Sequence, residues 1–370
     1  MKTPIYITTK TELEQMAQHL LQADAVAVDT EFFWERTFYP ILGLVQLATL
    51  DTCWLVDTVA LQSIEELGAL LAAPHVMKIL HDAPQDLTIL ARATGTLPRN
   101  IFDTRQSAGF AGFSSILSLK TLLHDALGIE LAKTETRSNW LHRPLTDKQL
   151  QYAADDVLYL IALRDHLLAR CHSDAIQSWL QTERARLDDT SLYEERDPRT
   201  LYQRVKGGSR LTPRQLAILR ELAAWREVEA RQRDWPRAHI LGDNLLIAIA
   251  QHAPTQGEHL LQLPGFPIAM PDEVTKRIIT CVETGTRLSD ADCPVPVQLS
   301  TKQKQREIKE QSDRLLNYIH EVCQPLGIDP ALVASRSEAD AFIRQNPEDV
   351  STNAPRVSGW RAQLLSGFTR

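Results

Sequence analysis

The stretch Ala25-Val26-Ala27-Val28-Asp29-Thr30-Glu31 decides the fold. Its apolar run reads as a strand, and it ends in two acids two positions apart. Side chains on a strand alternate between its sides, so Asp29 and Glu31 leave the backbone in the same direction. Two carboxylates converging at the end of an apolar strand repel each other. A divalent cation supplies the missing positive charge, and a solvated turn is the alternative reading.

Further strand candidates follow at Gly43–Thr49 and Cys53–Asp57, separated by Leu50-Asp51-Thr52. That spacing predicts an antiparallel meander with the first strand. Upstream, Thr11–Ala23 reads as a short helix. Downstream, Ile64–Leu71 is helical, Val76–His81 is a short buried strand, and a helix starts near Gln85 and runs through Leu87, Leu90 and Ala91. Asn100–Thr104 reads as another strand and Leu117–Leu127 as another helix. Strands first, then strands alternating with helices, predict a mixed α/β sheet.

A second informative stretch is Tyr152-Ala153-Ala154-Asp155-Asp156-Val157. It lies in a segment, Thr146 to Arg170, that reads as one long amphipathic helix. Thr146 and Gln149 form a capping-box signature, and Leu150, Val157, Leu160, Ile161 and Leu168 recur at helical spacing. Tyr152 and Asp156 are four apart, so phenol and carboxylate project from one face. By itself the pair reads equally as a packed tyrosine beside a solvated acid.

At 370 residues the chain is long for one core, which predicts two or three domains. Its 44% hydrophobic and 24% charged content are ordinary for a globular protein. No uncharged apolar run is long enough to span a bilayer, and Met1-Lys2-Thr3-Pro4-Ile5 lacks the apolar core of a signal peptide. Five scattered cysteines form no Cys-x-x-Cys pair. That argues against a disulfide framework and a zinc site, and fits a cytoplasmic protein without membrane attachment. The net charge of −7 speaks against a general polyanion coat, although local basic patches decide nucleic-acid binding.

The acidic stretch Glu194-Glu195-Arg196-Asp197-Pro198 marks a domain boundary. Beyond it the pattern is helical. Thr212-Pro213 starts a helix with Leu216, Leu219, Leu222, Ala223 and Trp225 as its buried stripe. Asp243 is a cap for the next helix, and Leu263-Pro264-Gly265-Phe266 is a turn. Between Arg199 and Arg237 arginines outnumber acids, which fits either a solvated helix face or a phosphate-binding surface that includes Arg231 and Arg233. Ser289–Ser300 reads as a second linker, followed by a charged helix from Lys302 and a short helix around Trp360. The expected domains are therefore 1–190, 208–288 and 300–370, the last two being degenerate repeats of each other.

Four carboxylates stand out: Asp29 and Glu31 on a strand, Asp86 at a helix start and Asp156 one turn after Tyr152. Acids without a histidine or cysteine partner favour Mg²⁺ or Mn²⁺ over zinc. A pair of such ions is suited to in-line displacement at phosphorus. The chain has no phosphate-binding Gly-x-x-x-x-Gly-Lys loop, no Gly-x-Ser-x-Gly elbow and no His-Glu-x-x-His helix.

Asp29-Thr30-Glu31-Phe32, His81 to Asp86 and Tyr152-x-x-x-Asp156 resemble the three motifs of the DEDD exonucleases in their tyrosine-bearing subclass. Tyr39-Pro40-x-Leu42-Gly43-Leu44-Val45-Gln46-Leu47 and Arg143-Pro144-Leu145 resemble the bacterial ribonuclease D family in particular. Leu211 to Gly265, with Arg231, Pro236, Asp243, Leu246 and Leu263-Pro264-Gly265, is similar to an HRDC domain, and the last module matches weakly. The resemblance implies a ribonuclease H-like mixed-sheet exonuclease domain followed by two all-α HRDC-like domains. It implies that Asp29, Glu31, Asp86 and Asp156 hold two divalent metal ions, with Asp29 bridging them. Tyr152 would hydrogen-bond the attacking water. The implied reaction is stepwise release of 5′-mononucleotides from RNA with a free 3′ end, on tRNA precursors and other small structured RNAs, by a monomer.

The sequence departs from that pattern at Ser138-Asn139-Trp140, where Ser-Asp-Trp is expected. Asp82 rivals Asp86, and Asp155 rivals Asp156; register and spacing favour Asp86 and Asp156. Phe32 is either a contact for the terminal nucleotide or a core residue. Trp140 and Arg143 either line the RNA path or form an Arg-Pro turn held by a tryptophan. His81 reads as a hydrogen-bonded strand-end residue. A proofreading-type 3′→5′ DNA exonuclease and a non-catalytic RNA-binding adaptor are the competing functions.

Overall fold

A computed structural model describes residues 3–131, 135, 138–295, 302–345 and 359–368. Part of the irregular stretch expected over 132–144, and the latter part of the linker expected over 289–300, lie outside the described residues.

The sheet contains β1 (Ile5–Ile7), β2 (Ala25–Phe33), β3 (Ile41–Ala48), β4 (Cys53–Asp57), β5 (Met77–Leu80) and β6 (Ile101–Asp103) in the order β1-β4-β3-β2-β5-β6. β3 runs antiparallel to β4, whereas β1 is parallel to β4 and β2, β5 and β6 are mutually parallel. This is the mixed sheet expected, with β1 added at an edge. Three residues are too few to display an alternation, so β1 leaves no periodic signal.

β2 lies inside the sheet, and its alternation serves two cores. Ala25 and Ala27 join one apolar cluster with Ala153, Ala154 and Val157, while Val26 and Val28 join another with Ala83, Leu87 and Leu90. Asp29 and Glu31 continue the first series and Thr30 the second.

The surrounding helices are α1 (Lys10–Leu20), α2 (Thr58–Leu61), α3 (Gly68–Ala72), α4 (Pro84–Thr94), α5 (Thr104–Phe110), α6 (Leu119–Leu127), α7 (Asp147–Leu158), α8 (Leu160–Arg170) and α9 (Asp174–Arg186). The Thr146 capping box forms as expected. The single long helix does not, because the chain breaks at Tyr159 (φ −105°, ψ −4°). α7 packs on β2 and β4, whereas α8 packs on β2, β5, α5 and α6. A straight rod cannot follow both parts of a twisted sheet.

The chain divides into two compact units: Met1–Phe33, Leu42–Tyr193 and Lys302–Arg370 in one, Trp34–Ile41 and Glu194–Thr301 in the other. The second unit contains α10 (Pro213–Arg233), α11 (Arg237–Ile240), α12 (Asp243–His252), α13 (Gly257–Leu261) and α14 (Asp272–Arg287). Leu219, Leu222, Ile249, Ile278 and Val282 close its core. α10 and α14 meet closely at Gly285, where a Cβ would lie 2.6 Å from the Ile218 nitrogen. The expected Thr212-Pro213 start is seen, with Thr212 and Gln215 forming a capping box. Asp243 is not the cap; it sits in the first turn of α12 and its carboxylate accepts from Arg226 Nη1 at 2.7 Å.

The remaining helices, α15 (Lys302–Cys323), α16 (Arg336–Gln345) and α17 (Trp360–Leu365), belong to the first unit. Ile308, Leu315, Ile319, Trp360 and Phe368 share one apolar cluster with Phe110, Leu163 and Ile176. Trp360 stacks on Trp179 with centroids 5.3 Å apart, and its indole N–H donates to buried Glu183 at 2.9 Å.

Candidate active site

The two cores of the first unit meet where β2 ends, and each contributes a helix. α4 lies on the side of Thr30 and carries Asp86 in its first turn, where the helix dipole favours an acid. α7 lies on the side of Asp29 and Glu31 and carries Tyr152 and Asp156. The carboxylate oxygens of Asp29, Glu31 and Asp156 fall within 4.8 Å of one another. Asp86 stands outside this trio, buried, and accepts a hydrogen bond from the Thr30 hydroxyl. All four acids and Tyr152 line one cavity of about 430 Å³, with Phe32, His81 and Leu119 on its walls.

Among the described residues no lysine or arginine lines this cavity, and the charges raise one another's pKa. Burial, and then Asp156 and Asp86, push Glu31 up to about 9. Burial pushes Asp156 up to about 7 and Asp86 to about 6. Asp29 is also held well above the carboxylate range, by burial first and then by Asp86, Asp156 and Glu31. Such a site is deficient in positive charge. A donor set made only of oxygens suits a hard cation, so the residues present fit divalent metal.

The Tyr152 phenol donates to Asp156 and is pushed above its ordinary range by burial and then by Asp156. It is therefore protonated at neutral pH and no base. Its oxygen lone pairs can still accept a hydrogen bond from water. Behind it stands Trp140, its ring centroid 6.1 Å from that of Tyr152. His81 bridges the Thr104 hydroxyl (3.0 Å) and the Leu117 carbonyl (3.1 Å), and burial lowers it to about 4, so it is neutral.

Of the rival acids, Asp82 lines the same cavity and Asp155 does not. Asp82 has a positive φ of 64° and pairs with Arg105, while Asp155 accepts from Gln151 Nε2 at 2.8 Å on a side chain outside the trio. Phe32 lines the cavity.

Of the two readings open for Trp140 and Arg143, burial and bonding favour the Arg-Pro turn held by a tryptophan over a lining of the RNA path. Trp140 is 1% exposed, so it supports Tyr152 and offers no face to a substrate. The Arg143 guanidinium uses all five N–H groups. It forms two bonds of 2.6 Å to Asp57, and others to the carbonyls of Trp140 (2.8 Å), His142 (2.9 Å) and Gly43 (2.7 Å). None is left for phosphate.

In the second unit Arg231 is also tied internally, to Glu227, Glu195 and the Arg196 carbonyl, with 16% of its side chain exposed. Arg233 pairs with Glu229 but stays 41% exposed.

Sequence reasoning missed the residues that hold the motifs in place. Thr30 carries no signal of its own in the sequence, yet its hydroxyl donates to Asp86. Asp103 accepts backbone N–H bonds from Asp82 (3.0 Å), Ala83 (3.0 Å), Arg105 (2.9 Å) and Gln106 (3.4 Å), fixing the turn that launches α4. An acid at the end of a strand next to a threonine is the one trace of that role in the sequence.

Known proteins resemble this chain in sequence and in fold. The family described as 3′-5′ exonuclease matches residues 4–171, and the HRDC domain family matches residues 215–282. Ribonuclease D of Desulfotalea psychrophila is 39% identical over 371 residues, covering 100% of this chain and 98% of that protein. Ribonuclease D of Pseudomonas paraeruginosa is 33% identical, covering 97% of this chain and 95% of that protein. The crystal structure of Escherichia coli RNase D, an exoribonuclease involved in structured RNA processing, superposes with a TM-score of 0.84 at 28% identity, covering 99% of this chain and 97% of that one. The likeness runs along the whole length, over the mixed-sheet 3′-5′ exonuclease part and the helical HRDC domain, and the chain belongs to the ribonuclease D family.

Proposed function

We propose that this protein is a metal-dependent 3′→5′ exoribonuclease that releases 5′-mononucleotides from the free 3′ end of RNA, with tRNA precursors and small structured RNAs as substrates. The observation that carries the reading is the convergence of Asp29, Glu31 and Asp156 within 4.8 Å in a cavity that Asp86 and Tyr152 also line.

Asp29, Glu31 and Asp156 would hold divalent metal directly and Asp86 more remotely, anchored by Thr30. Two Mg²⁺ or Mn²⁺ ions bound there would supply Lewis-acid activation of water and neutralise charge at phosphorus. Tyr152 orients the attacking water: its O–H is committed to Asp156 and its lone pairs accept from that water. Phe32 packs against the terminal nucleotide. Water adds to phosphorus, the bond from phosphorus to the 3′ oxygen of the preceding nucleotide breaks, and that oxygen leaves with a proton as the new 3′ hydroxyl. The domain reading of 1–190, 208–288 and 300–370 stays part of this proposal, with the last segment a degenerate HRDC-like module whose apolar side chains are built into the core of the exonuclease. No described helix is long and apolar enough to cross a membrane; we read the protein as a cytoplasmic monomer.

RNA and DNA of equal length and sequence, each with a 3′ hydroxyl, separate this reading from a DNA exonuclease by mononucleotide release. Asp29→Ala should slow trimming by about 10³-fold or more while RNA binding persists, the scale on which charge-organising groups act. Trimming by that variant at the wild-type rate would sink the metal assignment.

A further inference from the structure

The second compact unit carries an aromatic and cationic patch with no part in the chemistry above. Trp34 is 53% exposed and Trp235 is 49% exposed. Singly exposed hydrophobics are common, but exposed rings grouped with cations on one surface mark an interaction site. A chain of bonds within that unit fixes both. The Trp34 indole donates to the Phe38 carbonyl at 3.1 Å, and the Phe38 N–H donates to the Asp234 carbonyl at 3.2 Å. The Asp234 carboxylate accepts from the Tyr39 N–H at 2.9 Å. Asp234 itself is held at φ 50°, a left-handed conformation that costs a non-glycine residue energy and turns the chain out of α10 into Trp235.

Two arginines complete the patch. Arg237 lies 4.6 Å from the Phe38 ring centroid, and Arg233 lies 5.7 Å from that of Trp235. Each is gripped from one side by a buried carboxylate. Arg237 contacts Glu227 through Nε and Nη2, and Arg233 contacts Glu229 through the same two atoms. Among the described residues the Nη1 amino group of each has no hydrogen-bond partner and can meet another ligand. Both carboxylates are also met by a second arginine, Arg231 for Glu227 and Arg277 for Glu229. The acids therefore hold the cations in place without cancelling them.

Exposed indoles interleaved with cations suit bases that stack and phosphates that follow the strand. We propose that Trp34 and Trp235, with Arg233 and Arg237, form a stacking platform for single-stranded RNA. This deepens the exoribonuclease reading and rests on it for the identity of the ligand. Trp34 stands three residues beyond Glu31 in the sequence. None of the platform's residues lines the catalytic pocket, so cleavage of a dinucleotide does not need them.

Binding of a long labelled oligoadenylate to the full chain in EDTA, where nothing is hydrolysed, tests this apart from catalysis. Trp34→Ala should weaken binding about tenfold, within the range for one lost stacking partner, and Trp34→Phe should restore most of it. Arg233→Gln should lower the slope of log affinity against log salt by about 0.7, one phosphate contact on a single strand. With metal restored, all three variants should cleave a dinucleotide at the wild-type rate. Thermal melts of Trp34→Ala guard against misfolding, and quenching of tryptophan fluorescence on adding oligoadenylate to the wild type gives a readout that needs no variant. Unchanged affinity and salt slope in the variants overturn the platform and leave the patch to a protein partner, even when trimming is intact. If oligoadenylate binds and the dinucleotide is not cleaved, the exoribonuclease reading fails instead.

Discussion

At the scale of single residues, the active-site acids set function against stability. Glu31 is pushed up to about 9 and Asp156 to about 7, whereas in the unfolded chain both groups return to ordinary carboxylate values near 4. Between those values the folded, metal-free protein binds more protons than the unfolded chain, so stability falls as pH rises. The loss starts above about pH 4 and is complete near pH 9. A cation removes the repulsion and with it this slope. Asp29→Asn takes away one charge from the cluster, so in EDTA at about pH 8 it should be more stable than wild type by about 1 kcal/mol or more. It should also lose trimming and the stabilisation that Mn²⁺ gives the wild type. Melts of both proteins, with and without metal, measure this; equal stability in EDTA would mean that the acids do not strain one another. Arg143 shows the reverse case. A cation whose five N–H groups are all bonded, facing Asp57 at 3% exposure, holds the loop before α7. Its loss would be felt in folding before RNA affinity.

Among the elements, β2 was legible because burial and chemistry share its first seven residues, Ala25–Glu31: the apolar run names the strand, and the acids that follow it name the site. α7 was legible from its cap and from the Tyr152–Asp156 spacing. β1 was not, since three residues carry no period. The break at Tyr159 was not, since it answers to the packing of α7 and α8 on different strands and has no glycine or proline to announce it. Trp140 and Arg143 were distinctive in sequence, but whether such residues face substrate or core depends on partners distant in the chain. Asp103 was hidden for the same reason: its role is the sum of four backbone N–H bonds to two segments. Removing its carboxylate leaves those donors unmet, each at a cost of about 1 kcal/mol or more. Asp103→Ala should therefore speed amide exchange at Asp82, Ala83 and Arg105 by about tenfold or more, with β2 protected as before. Trimming should fall with it, because the same turn launches the helix that carries Asp86. Unchanged exchange at Ala83 would show that the turn holds itself.

Over the whole molecule, chain order and packing order differ. The HRDC family match at residues 215–282 belongs to one compact unit, whereas residues 302–370 return to the unit of the exonuclease sheet. The return is sealed by an aromatic contact around a charge. Trp360 lies against Trp179 and Phe110, with centroids at 5.3 and 5.4 Å, and Glu183, only 2% exposed, accepts from the Trp360 indole and from Arg361. An independent module could be cut away and leave the exonuclease as stable and as active as before. A segment sharing the core could not, because its loss uncovers apolar surface and strips a buried carboxylate of two of its partners. Trp360→Ala alone should cost about 3–5 kcal/mol, the usual range for emptying a buried aromatic site. A chain ending at residue 301 should melt roughly 10 °C or more below the intact protein. Cleavage of a dinucleotide should decline with it, since Phe110 ends α5, the helix that Asp103 caps beside the motif carrying Asp86. Calorimetry of the shortened chain, paired with dinucleotide hydrolysis, measures both consequences. An unchanged melting temperature together with full dinucleotide activity would establish the last segment as a separable module that merely rests on the enzyme.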